Sequence, residues 1–325
     1  MKIFITGGSG FIGTHLIQLL DLMGLYEIIN YDLKDPKIIS NAIYIKGDIR
    51  NESQVFNAMR NCDVIIHLAA IWDDFSLDES EYFSTNVDGT QSVINGAKRH
   101  HIHTFINYSS VSVYGETEEE CIEKMTNLKP TNPYGKSKLM AEKLFENWYK
   151  ENLNISVVHL RPSVVFGKYN YGNIYRLINQ INSGFYFNIQ KSKSSLKSIT
   201  YVENLTNATV FLLGKIKKGI EIYNYSDTPH MNTMQISNII EKRFGKKAGL
   251  AVPYTFAFAL AIPFDLISNL TGKNIPISTM RVKKYCTQTL NNSDKIKLLG
   301  YKSVFSSIEG LEKTVDWYKT NRGSN

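Results

Sequence analysis

Cysteine is nearly absent from this chain: Cys62, Cys121 and Cys286 are the three in 325 residues. Three scattered thiols supply neither a disulfide framework nor a metal-ligand spacing, so no metal is expected and a reducing cytoplasm is the simplest compartment. A long unbroken apolar run is missing too. The most apolar stretch, Val252 to Leu270, is interrupted by Pro253, Pro263 and Asp265 and is too short for a clean transmembrane span. The first apolar strand begins at Lys2, which leaves no room for a signal peptide. No basic stretch is interleaved with stacking aromatics, so the net charge of +7 does not imply nucleic acid as a partner. That charge suits an anionic small molecule or an acidic membrane surface. With 43% apolar and 21% charged residues, nothing suggests disorder.

What is present starts at the N-terminus. Lys2–Thr6 is a short, β-branched apolar run and reads as a buried strand. Gly7, Gly10 and Gly13 follow at the spacing G-x-x-G-x-x-G, with Phe11 and Ile12 opening an amphipathic helix that runs to about Met23 and stops at Gly24. A strand, a tight glycine turn and a helix N-terminus together form a seat for a dinucleotide diphosphate. A second strand ends at Asp32, which either accepts hydrogen bonds from an adenosine ribose or simply ends a strand. A carboxylate there repels a 2′-phosphate and favours NAD over NADP, although Lys34 softens the effect. A third strand, Ala42 to Lys46, leads to Asp48 and Ile49, read as contacts for an adenine amino group and ring or as a plain turn.

Strands and helices then alternate. Expected are strands over 63–70, 104–108 and 155–165, and helices over 81–99 and 133–152. Such alternation predicts an α/β, Rossmann-type, doubly wound parallel sheet with ligands outside the carboxyl ends of the strands. Leu68, Ala69 and Ala70 leave room for a cofactor at one strand end, and Asn86 lies on the following helix. Residues 1–167 are expected to form the NAD-binding domain. Residues 168–325 should be mainly a smaller C-terminal substrate-binding lobe, with the segments near 196–226 returning to the first domain.

Tyr134 and Lys138 sit at i and i+4 of the 133–152 helix and share a face. An unperturbed phenol, with a pKa of about 10, is a poor base at neutral pH. A neighbouring ammonium favours the phenolate, so Tyr134 is the expected acid–base and Lys138 its support and a ligand of the nicotinamide ribose. Ser110, after the 104–108 strand, is expected to hold the reacting oxygen.

Taken together, Thr6 to Gly13, Asp32, Asp48-Ile49, Leu68-Ala69-Ala70, Asn86 to Thr90, Tyr108-Ser109-Ser110 with Val113-Tyr114-Gly115, Pro133 to Lys138, and Arg161-Pro162 through Phe166-Gly167 resemble the extended short-chain dehydrogenases of the NAD-dependent epimerase/dehydratase group. The resemblance implies NAD as cofactor, with Pro162 and Ser163 joining its site, a nucleotide-diphosphate sugar as substrate, and a homodimer. Dehydratases of this group resemble one another in an acidic pair after the serine or threonine, and here no carboxylate occurs before Glu116. The expected activity is therefore C4 epimerisation for surface-polysaccharide precursors. Reduction of a 4-keto sugar, a sterol-type alcohol dehydrogenase and a non-catalytic cofactor sensor are the alternatives.

The later sequence is less legible. Lys197 stands where the family binds a phosphate, or is a surface lysine. Asn173 either touches the sugar or caps a helix. Arg281, in the segment Pro276 to Arg281, pairs either with a diphosphate or with a surface acid. His100, His101 and His103 suit a helix C-terminus better than a metal. Glu116 to Glu120 reads as a solvated acidic loop. Val252 to Leu270 is either a packed helix pair or a peripheral membrane contact.

Overall fold

The computed structural model describes residues 1–72, 78–117, 119–184, 186–190, 195–246, 249–271 and 278–321. Its centre is a seven-stranded sheet of β1 (Lys2–Thr6), β2 (Glu27–Asp32), β3 (Ile43–Lys46), β4 (Val64–His67), β5 (Thr104–Tyr108), β6 (Ser156–Pro162) and β11 (Gly219–Tyr225). The spatial order is β11-β6-β5-β4-β1-β2-β3, and every pairing is parallel. Helices fill both faces, as parallel strands buried on each side require. On one face α1 (Phe11–Met23) and α7 (Val202–Leu213) bury Leu16, Ile17, Leu20, Leu205, Ala208 and Leu212 against the sheet. On the other, α2 (Glu52–Ala58), α4 (Gly89–His100) and α5 (Pro133–Glu151) contribute Val55, Val93, Ile94, Ala97, Phe145 and Trp148.

Chain order reverses between β1 and β4, so the crevice for a ligand opens there. The register aligns Thr6 with His67 and His67 with Asn107. The glycine turn, Leu68–Ala70 and Ser109–Ser110 therefore leave the same sheet edge.

A smaller set of elements covers that edge. Strand β7 (Val164–Phe166) pairs with β10 (Ile199–Tyr201), β8 (Asn188–Ile189) with β13 (Ala251–Val252), and β9 (Leu196–Lys197) with β12 (Met231–Asn232). Around them lie α6 (Asn173–Ser183), α8 (Thr233–Arg243), α9 (Tyr254–Thr271), α10 (Thr279–Cys286) and α12 (Ser307–Thr320). The short α11 (Asp294–Leu298) returns to β11, with Ile296 and Tyr301 in the core of the main sheet.

Two expected elements are divided. The 155–165 strand breaks at Ser163, where β6 ends and β7 enters another sheet. Ser163 gives its backbone N–H to Tyr225 O at 2.9 Å, and its hydroxyl bonds Thr200 Oγ1 at 2.8 Å, which turns the chain toward β10. The 81–99 helix is α3 (Glu79–Phe83), a π-helical turn over Ser84–Asp88, and α4. Asn86 lies in the turn, and π turns in helices gather at functional sites. The 63–70 strand stops at His67, freeing Leu68–Ala70 to line the crevice.

Candidate active site

The glycine turn owes its shape to close backbone contacts. Gly7 has φ +74°, and a Cβ there would lie 2.6 Å from Ala69 N, so a side chain would force β1 and the Leu68–Ala70 stretch apart. Gly10 is the N-cap of α1, has no side-chain cap, and no acid occupies the first turn. The amide end of the helix thus faces the crevice without a carboxylate of its own, which suits a diphosphate. Phe11 and Ile12 contribute backbone at this end, while their side chains pack toward β7 and the lobe. Asp32 accepts Ser9 N and Lys34 N, each at 2.9 Å and each on a different oxygen. Every carboxylate oxygen keeps a second lone pair, so ribose hydroxyls can still donate. This donor and acceptor set fits NAD.

Asp48 is gripped by Arg50 in a pair of hydrogen bonds at 2.9 and 2.5 Å, which hold its carboxyl below the usual range. Sequence reasoning did not single out Arg50. Ile49 is buried in the core, where Gly89 leaves room for its side chain. Asn86 spends both amide hydrogens on protein, on Ile71 O at 3.0 Å and Ser137 Oγ at 2.9 Å, and accepts Ile71 N at 2.8 Å. It ties the loop after β4 to α5, so its side chain acts on the site by positioning. Pro162 pairs with Tyr225 at the end of β6, beside the buried Ser163.

Helix α5 starts at a marked place. Asn132 accepts Gly135 N at 2.7 Å as N-cap, with Pro133 at the first helical position. A Cβ on Gly135 would lie 2.5 Å from Ser112 O, so only glycine lets this first turn rest on the 3-10 turn Val111–Tyr114. That contact carries Tyr134, half-buried, toward the edge where Ser110 leaves β5. Ser110 caps the 3-10 turn by accepting Ser112 N at 3.1 Å. One helical turn beyond Tyr134, the buried Lys138 donates to Tyr108 O at 2.7 Å, two residues before Ser110. Burial pushes the Lys138 ammonium down to about 8, against the support of Glu142. The fold thus brings Ser110, Lys138, the glycine turn and Leu68–Ala70 to one edge, with Tyr134 on the α5 face that carries Lys138.

Behind that edge lies a buried network that the sequence did not reveal. Glu142, one turn past Lys138, receives Arg161 Nε at 2.8 Å and Nη2 at 2.5 Å, both side chains being 1% exposed. Burial opposes its charge, yet Arg161 keeps the Glu142 carboxyl below its ordinary range. Arg161 Nη1 also donates to Tyr114 OH at 2.9 Å, which donates to Asn224 Oδ1 at 2.8 Å. One signal was available: Glu142 continues the i, i+4 series of Tyr134 and Lys138.

His67 forms a second hidden link, bonded to Thr6 Oγ1 at 2.6 Å and Thr90 Oγ1 at 2.9 Å. Burial, then the Lys138 charge, press its pKa from 6.5 down to about 3. Below pH 6.5 the unfolded chain takes a proton that the folded chain refuses. Stability should therefore fall as pH drops from 6.5 toward 3, with His67 contributing about 1.4 kcal/mol per pH unit. His67→Asn should flatten the urea-midpoint profile by that slope, and an unchanged slope would refute the reading.

The candidate substrate residues are scattered over the lobe. Asn173 is exposed at the first position of α6 and does not cap it, because Gly172 is the N-cap and no side chain closes it. Lys197 donates to Lys284 O at 3.0 Å and to Thr287 O, clipping β9 to the end of α10, and burial lowers it to about 8. Arg281 is half-buried on α10, with its backbone N–H on Ser278 Oγ at 3.1 Å. Pro276 and Ile277 of that segment, and Glu118 of the acidic loop, lie outside the described residues. His100 stacks on Phe56 at 4.3 Å, while His101 closes α4 in the left-handed region. Among the described residues, no group of three or more His, Cys, Asp or Glu is placed to hold a metal.

Comparison with known proteins agrees with this architecture. The chain is 31% identical over 318 residues, 97% of its length and 95% of the relative's, to N-acetyl-alpha-D-glucosaminyl-diphospho-ditrans,octacis-undecaprenol 4-epimerase of Escherichia coli O157:H7. It is 27% identical to the dTDP-D-glucose 4,6-dehydratase of Mus musculus, covering 98% of this chain and 89% of that one. Among solved structures, UDP-glucuronic acid 4-epimerase from Bacillus cereus, in complex with NAD, superposes with a TM-score of 0.78 at 26% identity, covering 98% and 99% of the two chains. Residues 3–225 match the model of one family, a span that takes in most of the central sheet and every candidate site residue except Arg281. With the glycine turn, Ser110, Tyr134 and Lys138 all inside that match, the chain belongs to the NAD dependent epimerase/dehydratase family.

Proposed function

We propose that this enzyme inverts C4 of a hexose or N-acetylhexosamine held through a diphosphate, and that Ser110, Tyr134 and Lys138 do the chemistry. The observation that carries the reading is the placement of Lys138. Its ammonium is fixed on Tyr108 O, at the strand end that leads to Ser110 and one turn from Tyr134. NAD, when bound, supplies the hydride acceptor and donor. The Tyr134 phenolate takes the proton of the C4 hydroxyl as the C4 hydride leaves, and returns it when hydride comes back to the other face of the keto sugar. Ser110 donates a hydrogen bond to the reacting oxygen. Lys138 favours the phenolate and binds ribose hydroxyls. No carboxylate lies between Ser110 and Gly115, so nothing on that turn serves the proton transfers of a dehydratase. The relatives named as 4-epimerases support the same choice.

The carrier on the diphosphate is a nucleotide in this reading, as in the UDP-glucose complex of a similarly folded protein. A polyprenol carrier is the second reading. It is favoured by the relative whose name carries a diphospho-undecaprenol and by the outward apolar face of α9. Work in the cytoplasm is supported by three buried cysteines that form no disulfide. The homodimer expected from the resemblance is tested by sedimentation of the pure chain.

The deciding assay adds no cofactor. Acid should release NAD from the pure protein, and either a UDP-N-acetylhexosamine or its diphospho-polyprenol counterpart should yield the C4 epimer. If neither is converted while a 4-keto sugar consumes added reduced cofactor stoichiometrically, the enzyme is a reductase and this reading fails.

A further inference from the structure

Helix α9 is folded with two of its three alanines inward and most of its large aliphatic residues outward. Ala257 and Ala261, one turn apart, are buried at 3% and 0% exposure. Phe256, Leu260, Ile262, Leu266, Ile267 and Leu270 are instead 46–86% exposed. On a 3.6-residue wheel these six fall in one continuous arc of about 160° opposite the two alanines. A helix that belonged wholly to its lobe would bury its large side chains and expose its small ones.

The arc carries no charge. The single charged residue of α9, Asp265, is turned to the protein, where its Oδ2 accepts Thr279 Oγ1 at 2.6 Å and Thr279 N at 3.1 Å. Helix α10, which packs against α9, carries Arg281, Lys283 and Lys284 and no acid. Lys283, Lys284 and Met280 on it are exposed. A wide uncharged apolar face beside a basic helix, on a chain of net charge +7, matches what lies in the plane of an anionic bilayer. Among the described residues no helix is long and apolar enough to cross a membrane, so α9 would lie along the surface rather than span it. A second copy fits less well. The arc offers almost no hydrogen-bonding groups, whereas protein interfaces carry about one bond per 100–200 Å². A two-fold contact would also bring the basic helix toward its own copy.

We infer that the outward face of α9, flanked by the basic residues of α10, seats this protein on the surface of an anionic lipid bilayer. The inference does not depend on the epimerase reading, because vesicle binding requires no turnover.

The test is flotation of the full-length protein with phosphatidylcholine vesicles, with and without 30% phosphatidylglycerol. Binding to the anionic vesicles should be at least tenfold stronger and should weaken in high salt. Leu260→Asp with Ile267→Asp should lose at least tenfold of that binding, with unchanged melting, oligomeric state and conversion of any soluble substrate. Lys283→Glu with Lys284→Glu should remove the preference for anionic vesicles. Failure of the unaltered protein to float, or equal flotation of the α9 variant, would overturn the inference. A drop in oligomeric state on altering α9 would assign the face to a second copy instead, and would overturn it too.

Discussion

Tyr134→Phe is expected to lower turnover by roughly 10²–10⁴-fold, the usual share of a positioned acid–base group. The ring remains, so the first turn of α5 should still rest on Val111–Tyr114, and the melting midpoint should barely move. Lys138 keeps its hydrogen bond to Tyr108 O, so acid extraction should still release NAD at the level of the unaltered protein. Single-turnover kinetics with the cofactor content measured alongside separate the outcomes. Full activity would remove Tyr134 from the proton transfer. Loss of cofactor together with activity would make it a binding group. The pH profile adds a check from the same helix. Without ligand, the Lys138 ammonium is lost above about pH 8, and with it the charge that favours the phenolate. Activity limited by cofactor-free enzyme should decline there.

Arg161→Met should be the most destabilising single change near the site, at about 3–5 kcal/mol, because it leaves a buried carboxylate without its partner. Arg161 and Glu142 are both 1% exposed, and Tyr114 and Asn224 continue the network toward β11. Arg161→Lys should fall between, since an ammonium cannot make the paired contact. Combining Arg161→Met with Glu142→Leu should recover much of the loss, as replacing both members of a buried pair by apolar groups is often nearly neutral. Urea denaturation of the unaltered protein, Arg161→Met, Arg161→Lys, Glu142→Leu and the double variant measures this. Strict additivity of the two changes would show that Arg161 acts through something other than Glu142.

The two predictions mark different depths of legibility. Tyr134, Lys138 and the glycine turn stood out because their chemistry is local. An i, i+4 pair on a helix, or a strand–turn–helix with glycines at fixed spacing, is set by neighbours within a dozen residues. Helix α1, expected from Phe11 to about Met23 with a stop at Gly24, forms over those residues and ends there in the left-handed region. The breaks at Ser163 and Asn86 were not visible, since each is caused by a partner far along the chain: Thr200 and Tyr225 for one, Ile71 and Ser137 for the other. Lys197 shows the same limit. Its type and position suggested a phosphate ligand, whereas the carbonyls it meets belong to residues 284 and 287.

By itself, the sequence determined the parallel α/β class, the nucleotide-binding turn and the identity of the candidate catalytic side chains, because each follows from short-range periodicity and residue chemistry. Only the tertiary structure decided that Lys138 is anchored on β5, that Glu142 and Arg161 form a buried pair behind it, and that α9 presents its large apolar residues outward. Those features depend on contacts between separate elements, 30 residues apart for Lys138 and Tyr108 and 19 for Glu142 and Arg161, and burial, which lowers the Lys138 ammonium and decides the exposure of α9, exists only once the chain has packed.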